Sequence, residues 1–248
     1  MKSKVRRKLL KIDGEPVEVM VRLNPRARRL IVKVDSATGE VSVIAPSRRA
    51  LDSAFDFARK EKAWIANQLA FVPRPVPLAP GGRVLYRGVE YPIRCADGIS
   101  AADRRRPVWI DREGECPVVR VNGRAEHATR RLTDWLKREA RTRLDERTGE
   151  FAARIGARPK RITVRDTTSR WGSCSSAKAL SFSWRLILAP PHVLDYVVAH
   201  EVAHLKELNH GPRFWRLVAL LIGDVDRPQT WLHEKGGLLH RYAPRKRA

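Results

Sequence analysis

The chain has 248 residues, of which 43% are hydrophobic, so it is long enough to bury a full core. Its 50 lysine and arginine residues outnumber its 27 aspartate and glutamate residues, which gives a formal net charge of +23. Three scattered cysteines argue against a disulfide framework, and there is no apolar run long enough for a signal peptide or a membrane span. We therefore expect a cytoplasmic protein with no membrane partner.

The N-terminal region, residues 1–72, predicts strands followed by one long helix. Three segments rich in β-branched residues lie between turn residues, which predicts a small antiparallel sheet. These segments are 16–23, 28–34 and 40–44. A helix is predicted over about 48–71, with Ser47 as its cap and Leu51, Phe55, Ala58, Ile65 and Leu69 on one apolar face.

A proline-rich segment, PRPVPLAPGG at 73–82, separates this region from the next. Proline and glycine at this density exclude a helix or a central strand, so we predict a linker. Residues 83–124 predict short strands between turn residues. These strands are expected at 83–87, 89–94, 107–111 and 117–121.

The last region, 125–248, begins with a helix over about 125–155 that has one apolar stripe. Two strands joined by a polar loop are predicted at 161–165 and 180–188. Prolines then open two helices, one at about 191–208 and one from Pro212. Because strands and helices occur in separate runs, the predicted fold class is α+β.

The sequence HEVAH, at 200–204, carries the main chemical signal. On a helix, His200 and His204 lie one above the other, and two imidazoles at that spacing suit a tetrahedral zinc ion. Glu201 lies about 100° around the helix, where it can reach a water molecule held by the metal without binding the metal itself. Apolar neighbours predict a buried helix, in which histidines without a metal or another partner would be costly.

A third ligand is needed, and His210 is the leading candidate. If the helix continued to residue 210, this side chain would lie about 15 Å along the axis from His200. A sharp turn must therefore precede it, and we predict that Asn209 is a left-handed helix terminator. Glu234 is the leading substitute for His210. The remaining alternatives in the same later segment are His233 and His240.

The same histidine spacing occurs in metzincins, but this chain does not fit that class. Metzincins have a glycine at the position of Glu207 and a methionine turn after the motif. The methionines of this chain are Met1 and Met20, both far upstream. We therefore exclude metzincin membership.

Several blocks of sequence occur in an order that is specific to one family. The blocks are PSRRALDSAFDFARKEKAWIANQL (46–69), SRWGSCSS (169–176), SWRLILAPP (183–191), YVVAHEVAHLKELNHGPRFW (196–215) and a tryptophan–leucine pair (231–232). Together they resemble the YgjP-like metallopeptidase family, a zincin group related to SprT and Spartan proteases. The resemblance implies a zincin-like catalytic domain with one Zn²⁺ held by His200, His204 and His210. It also implies that Glu201 is the catalytic acid/base. Ser183 stands where the family pattern suggests asparagine, which puts one local hydrogen bond in doubt.

The predicted reaction is peptide-bond hydrolysis by a zinc-activated water molecule, with Glu201 as general base. The developing oxyanion needs a hydrogen-bond donor in addition to the metal. Four residues are candidates for this donor: His233, Arg185, Tyr196 and Arg170. Zincins bind an extended peptide along an edge strand beside the metal, and the hairpin around 161–188 is predicted to supply that edge.

The positive charge does not identify the substrate, because the basic residues are spread over the whole chain. Residues 1–125 contain 26 basic and 14 acidic side chains, and residues 126–248 contain 24 and 13. This charge indicates nucleic acid as a candidate partner, or else a solvated surface that reflects an arginine-rich composition. If the chain is a peptidase, we expect its substrates to be peptides or proteins. The positive charge adds nucleic-acid-associated proteins to the candidate substrates. The alternatives are a metal-dependent phosphate or nucleotide hydrolase and a non-catalytic zinc-containing nucleic-acid-binding protein. Three histidines beside a glutamate favour an open catalytic site over a closed structural one.

Overall fold

The computed structural model of the chain describes most of the sequence. The described residues are 6–35, 38–70, 72, 76–96, 106–167 and 170–242. The chain divides into two compact units, Met1–Arg74 and Pro75–Ala248. Within the described ranges, no helix has the length and apolar character needed to cross a membrane.

The first unit contains a four-stranded mixed sheet. Its strands are β1 (Arg6–Ile12), β2 (Glu15–Leu23), β3 (Ile31–Val34) and β4 (Val41–Ala45). They lie in the order β1-β2-β4-β3, and β2 runs parallel to β4. The prediction of an antiparallel sheet is therefore wrong for the central pair, because the β3–β4 hairpin packs on β2 through its second strand. The sequence reading missed β1, whose first four residues are exposed and give no apolar alternation.

Two helices cover this sheet where one was predicted. They are α1 (Ala50–Lys60) and α2 (Lys62–Ala70), and the break lies at Glu61, whose ψ of 15° departs from helical geometry. Ser47, the predicted cap, accepts a hydrogen bond from the Ala50 N–H at 3.3 Å, but the N-cap position is Arg49, whose side chain makes no capping bond. Ile65 is fully buried in the core of this unit.

The second unit begins with a sheet of the same topology. Its strands are β5 (Arg83–Tyr86), β6 (Val89–Cys95), β7 (Val108–Asp111) and β8 (Val118–Val121), within about a residue of the prediction. The order is β5-β6-β8-β7, again with an antiparallel, a parallel and an antiparallel pairing. The two four-stranded sheets thus have the same topology, although the sequence contains no detectable internal repeat.

Part of the predicted linker packs into this second unit. Residues 73–75 lie outside the described ranges, but from Val76 onwards the chain is held in place. The Val76 N–H donates to the carbonyl oxygen of Arg241 at 2.9 Å, and Leu78 is buried at 1% exposure. The described part of the proline-rich segment is therefore anchored within the second unit at Val76 and Leu78.

A long helix and a second, three-stranded sheet follow. The elements are α3 (Ala128–Arg154), β9 (Arg161–Arg165), β10 (Gly172–Cys174) and β11 (Ala179–Ser183). The sheet has the order β10-β11-β9, so β10 pairs with β11 alone among the described strands. β10 was expected to belong to a polar loop, because three residues are too few to show a strand pattern. The predicted strand 180–188 stops at Ser183 and continues as a 3-10 helix, Trp184–Leu188, whose residues are all buried and show no alternation.

Three helices complete the second unit. They are α4 (Pro191–Ala203), α5 (Pro212–Ile222) and α6 (Asp226–Lys235), followed by a 3-10 helix at Gly236–Arg241. The prediction that prolines open α4 and α5 is confirmed, but α4 ends at Ala203, five residues before the predicted end. The sheets and helices of this unit share one core. The α+β class is confirmed, with six α-helices and three small sheets in the described chain.

Candidate metal and catalytic centre

The buried helix α4 carries the HEVAH sequence at its C-terminal end. Glu201 is 6% exposed and lies in the last turn, and His204 is the C-cap residue that follows the helix. The next residues form 3-10-type hydrogen bonds between groups three residues apart. The Leu205 N–H donates to the Val202 carbonyl oxygen, and the Lys206 N–H donates to the Ala203 carbonyl oxygen. These bonds satisfy helix-end carbonyl groups that would otherwise lack partners.

This early ending brings the next histidine back to the helix. Because α4 ends at Ala203, the five residues between His204 and His210 can reverse the direction of the chain. The prediction that Asn209 takes a left-handed conformation is wrong, since the only non-glycine residues with positive φ in the described ranges are Asp13, Arg87 and Lys178. The turn closes instead with a Gly211 N–H to Asn209 carbonyl bond at 2.8 Å, before Pro212 opens α5.

The three imidazoles converge on one point. The Nε2 atoms of His200 and His210 are 3.1 Å apart, and one nitrogen from each of His200, His204 and His210 lies within 4.8 Å of the others. Two nitrogen ligands about 2.0–2.1 Å from a tetrahedral ion lie about 3.3 Å from each other. The donor set and its spacing therefore fit a zinc-sized ion.

Phe214, the third residue of α5, holds the three rings together. Its ring centroid lies 4.9, 4.6 and 4.7 Å from those of His200, His204 and His210, respectively. Phe214 is fully buried, so these contacts cannot rearrange easily. The sequence shows Phe214 only as an apolar residue of an amphipathic helix, and its contact with all three imidazoles could not be predicted from spacing.

The protonation states of the histidines also suit metal binding. Burial, together with the neighbouring histidines, lowers the pKa of His200 to about 4, and burial likewise lowers the pKa of His204. Neutral imidazole is the form that binds metals. The Nδ1 of His204 lies 3.0 Å from the Glu207 carbonyl oxygen, so Nδ1–H can donate there and leave the Nε2 lone pair free.

Glu201 lies against the edge strand β10. A Cβ atom placed on Gly172 would be 2.6 Å from both Cγ and Oε1 of Glu201, so the strand can pass here only because residue 172 has no side chain. Burial raises the pKa of Glu201 to about 7, while the charge of Arg170 acts in the opposite direction. A carboxyl group with a pKa near neutrality suits proton transfer in both directions.

The four candidates for the additional hydrogen-bond donor differ in burial and in their neighbours. Arg170 is exposed and close enough to Glu201 to lower its pKa. Tyr196, one turn before His200 on α4, is 7% exposed, with its ring 6.0 Å from that imidazole. His233 is exposed on α6.

Arg185 is the most buried of the four candidates. Its side chain is 2% exposed and its Nε donates to Asp166 at 2.9 Å. Its Nη1 donates to the carbonyl oxygens of Leu239 and Tyr242 at 3.2 and 2.5 Å. These bonds tie the 3-10 helix after β11 to the C-terminal segment.

The alternative third ligands lie apart from the histidine cluster. Among the described residues, the group of metal-binding side chains consists of His200, His204 and His210. Glu234 is exposed, and His240 is buried with its ring stacked on Trp171 at 5.1 Å. Neither residue joins the three converging imidazoles.

Comparison with known families places the chain. A family model described as YgjP-like, metallopeptidase domain, matches residues 28–235. The chain belongs to the YgjP-like family. Membership confirms the resemblance seen in the sequence and makes the chain a metallopeptidase-type hydrolase with a protein or peptide substrate. The family also implies a bound metal, typically zinc.

One solved structure is similar over part of the chain. It is the crystal structure of the metallopeptidase zymogen of Pyrococcus abyssi abylysin, with 19% sequence identity and a TM-score of 0.32. The similarity covers 36% of this chain and 95% of that one. No curated protein matches the chain.

Proposed function

We propose that this YgjP-like protein is a zinc peptidase in which His200, His204 and His210 hold one Zn²⁺ and Glu201 is the general base. The observation that carries the proposal is the convergence of three imidazole nitrogens within 4.8 Å beside a buried carboxyl group. A structural zinc site has four protein ligands, whereas three ligands leave a position for water. The three-histidine cluster therefore supports a catalytic site.

The chemistry divides between the metal and the chain. When bound, a zinc ion acidifies a coordinated water molecule and polarises the carbonyl group of the substrate. Glu201 accepts a proton at a carboxylate oxygen and returns it to the leaving amine. A dication nearby favours the ionised carboxylate, which counteracts the effect of burial on the pKa of Glu201. The positive charge of Arg170 lowers the pKa of Glu201 in the same direction.

The edge strand β10 is the proposed binding site for the peptide backbone. On either side of β10, backbone groups bond toward β11. The Trp171 carbonyl oxygen accepts from the Ser183 N–H, and the Ser175 N–H donates to the Ala179 carbonyl oxygen. Because backbone groups alternate in direction along a strand, those of Gly172 and Cys174 are directed at the free edge. An extended substrate paired with these two residues would have its backbone beside Glu201.

The experiment is a cleavage assay with two controls. We expect the zinc-loaded protein to cleave casein, and we expect the activity to disappear after chelation and in Glu201→Gln. The same samples are tested for phosphate release from nucleotides. Chelator-sensitive phosphate release without peptide cleavage would replace the peptidase with the phosphohydrolase, and neither activity in a zinc-loaded sample would contradict an enzymatic role.

A further inference from the structure

A groove of about 340 Å³ lies on the second sheet of this unit, formed by β9, β10 and β11. We call it the outer-face groove. The lining residues that matter here are the arginines Arg161, Arg165 and Arg170 and the hydroxyl residues Thr163, Ser173 and Ser181. The lining includes no acidic and no aromatic side chain.

Strand alternation explains this arrangement. Along β9, Arg161, Thr163 and Arg165 are two residues apart and share one face of the sheet. The register pairs Thr163 with Ser181 on β11, and Ser181 with Ser173 on β10. A row of hydroxyl groups therefore crosses the sheet, with arginines at the two ends of the β9 segment.

The arginines of the groove differ from many others in the chain. Arg147 is paired with Asp195 at 2.8 Å, and Arg141 is paired with Asp145 at 2.5 Å. Arg161, Arg165 and Arg170 are exposed, and none has an ion pair among the residues that the structure describes. Thr163 Oγ1 already donates to the Leu180 carbonyl oxygen at 3.2 Å. The three guanidinium groups, which have no ion pair in the described part of the chain, can therefore provide the charge-assisted hydrogen bonds for carboxylates.

The groove and the proposed catalytic centre meet at the free edge of β10, on opposite faces of that strand: Ser173 faces the groove, whereas the Cβ direction of Gly172 is toward Glu201. Gly172 and Cys174 belong to its lining and also lie at the free edge beside Glu201. Neighbouring strands are about 4.8 Å apart, so β9 lies about 10 Å across the sheet from β10. A single carboxylate beside β10 cannot reach both arginines of β9. A run of about three or four extended residues, at about 3.3 Å each, spans the distance.

We propose that the outer-face groove binds a run of acidic residues in the polypeptide substrate, next to the segment that pairs with β10. This inference rests on the proposed peptidase function and names its substrate class. Single-stranded nucleic acid is the less favoured ligand, because such sites stack bases on aromatic side chains and this lining includes none.

The test measures binding separately from cleavage. The full chain carrying Glu201→Gln is titrated with two labelled peptides that differ only in a run of about four glutamates or four glutamines. In about 0.15 M salt, where long-range charge effects are screened, we expect the glutamate peptide to bind about tenfold more tightly. The double substitution Arg161→Ser with Arg165→Ser should remove this preference.

A matched variant separates the groove from the general positive charge. Lys137 and Arg138 are exposed on α3 and have no ion pair in the described part of the chain. Lys137→Ser with Arg138→Ser removes the same charge, and it should keep the tenfold preference. Equal binding of both peptides, or an equal loss in the α3 variant, would overturn the proposal. So would an oligonucleotide of equal charge that displaces the glutamate peptide at lower concentration.

Kinetics of the active enzyme provide a second readout. In the Arg161→Ser, Arg165→Ser variant we expect KM for the glutamate peptide to rise about tenfold with kcat unchanged, since only ground-state binding is lost. An unchanged KM would contradict the proposal that the groove binds acidic residues, but it would leave the proposed peptidase function intact. Absence of chelator-sensitive cleavage in the unsubstituted protein contradicts the proposed function, whatever the peptides do in the binding assay.

Discussion

Gly172 and Glu201 are in contact, and the absence of a side chain at residue 172 makes room for the carboxyl group. A Cβ atom there would lie 2.6 Å from Cγ and Oε1 of Glu201, closer than real Cβ contacts. The φ of Gly172 lies outside the left-handed region, so an alanine can adopt the backbone conformation. Displacement of the Glu201 side chain is therefore the main effect of adding a methyl group.

We expect Gly172→Ala to lower kcat by about 10- to 100-fold, because a displacement of about 1 Å in a catalytic group has effects of that size. The zinc content should not change, since the substitution does not touch the three imidazoles. Peptide cleavage and metal analysis on the same sample check both expectations.

Gly149→Ala is the matched control. Gly149 lies within α3 and has open space around an added Cβ atom. Alanine there should stabilise the protein by about 0.5–1 kcal/mol and leave the rate unchanged. A normal rate in Gly172→Ala would show that Glu201 tolerates displacement or has no catalytic role.

Phe214 supports the metal site through its ring contacts. In Phe214→Leu we expect a lower free energy of unfolding, by about 1–3 kcal/mol, and weaker zinc binding, by about tenfold or more. The reason is that the smaller side chain no longer contacts all three imidazoles. Urea unfolding and competition with a zinc chelator measure the two effects.

Phe151 provides the comparison for this variant. It is as fully buried as Phe214 but lies on α3, between Arg147 and Arg154, rather than against the histidines. Phe151→Leu should cost a similar free energy of unfolding without changing the zinc affinity. If both variants lose zinc affinity equally, general destabilisation is the cause and the specific role of Phe214 is wrong.

The features that the sequence predicted well depend on local rules. Pro212 opens α5 because proline suits a first helical turn, and the alternation in RITVR predicts β9 with the observed bounds. The four-residue spacing of His200 and His204 predicts that their side chains lie close together on α4. In each case residues adjacent in sequence or one turn apart decide the outcome.

The features that were missed depend on contacts between distant segments. Nothing near Gly172 in the sequence reveals that Glu201 packs on it, and the contact of Phe214 with three imidazoles needs the turn after His204. That turn was expected at Asn209 because the helix was extended too far. The domain boundaries read from the sequence, and the roles of the site residues, stay predictions.

The identity of the third ligand is tested by a pair of substitutions. His210→Ala should reduce bound zinc to well below one ion per chain, and it should abolish peptide cleavage. Glu234→Ala removes the leading alternative ligand, and it should change neither, because Glu234 is exposed and outside the histidine cluster. Metal analysis after dialysis distinguishes the two ligand sets. Retention of zinc in His210→Ala together with its loss in Glu234→Ala would reverse the assignment.

Arg185 was a sequence candidate for stabilising the transition state, and its contacts predict a different behaviour. Arg185→Met removes the buried donor from Asp166 and from the carbonyl oxygens of Leu239 and Tyr242. We expect the free energy of unfolding to fall by about 2–4 kcal/mol, since one partner of a largely buried ion pair is lost. The kcat should stay within about twofold of that of the unsubstituted protein. It is measured under conditions in which no unfolded variant is detected.

Arg130→Met is the control for the loss of one arginine. Arg130 lies 4.0 Å from Asp134 on the exposed side of α3, and both side chains are solvent-accessible, at 69% and 48%. Such a pair contributes little because water screens it, so the free energy of unfolding should change by less than about 0.5 kcal/mol. If Arg185→Met instead lowers kcat by orders of magnitude while unfolding at the same urea concentration as the unsubstituted protein, then Arg185 acts in catalysis and the structural assignment is wrong.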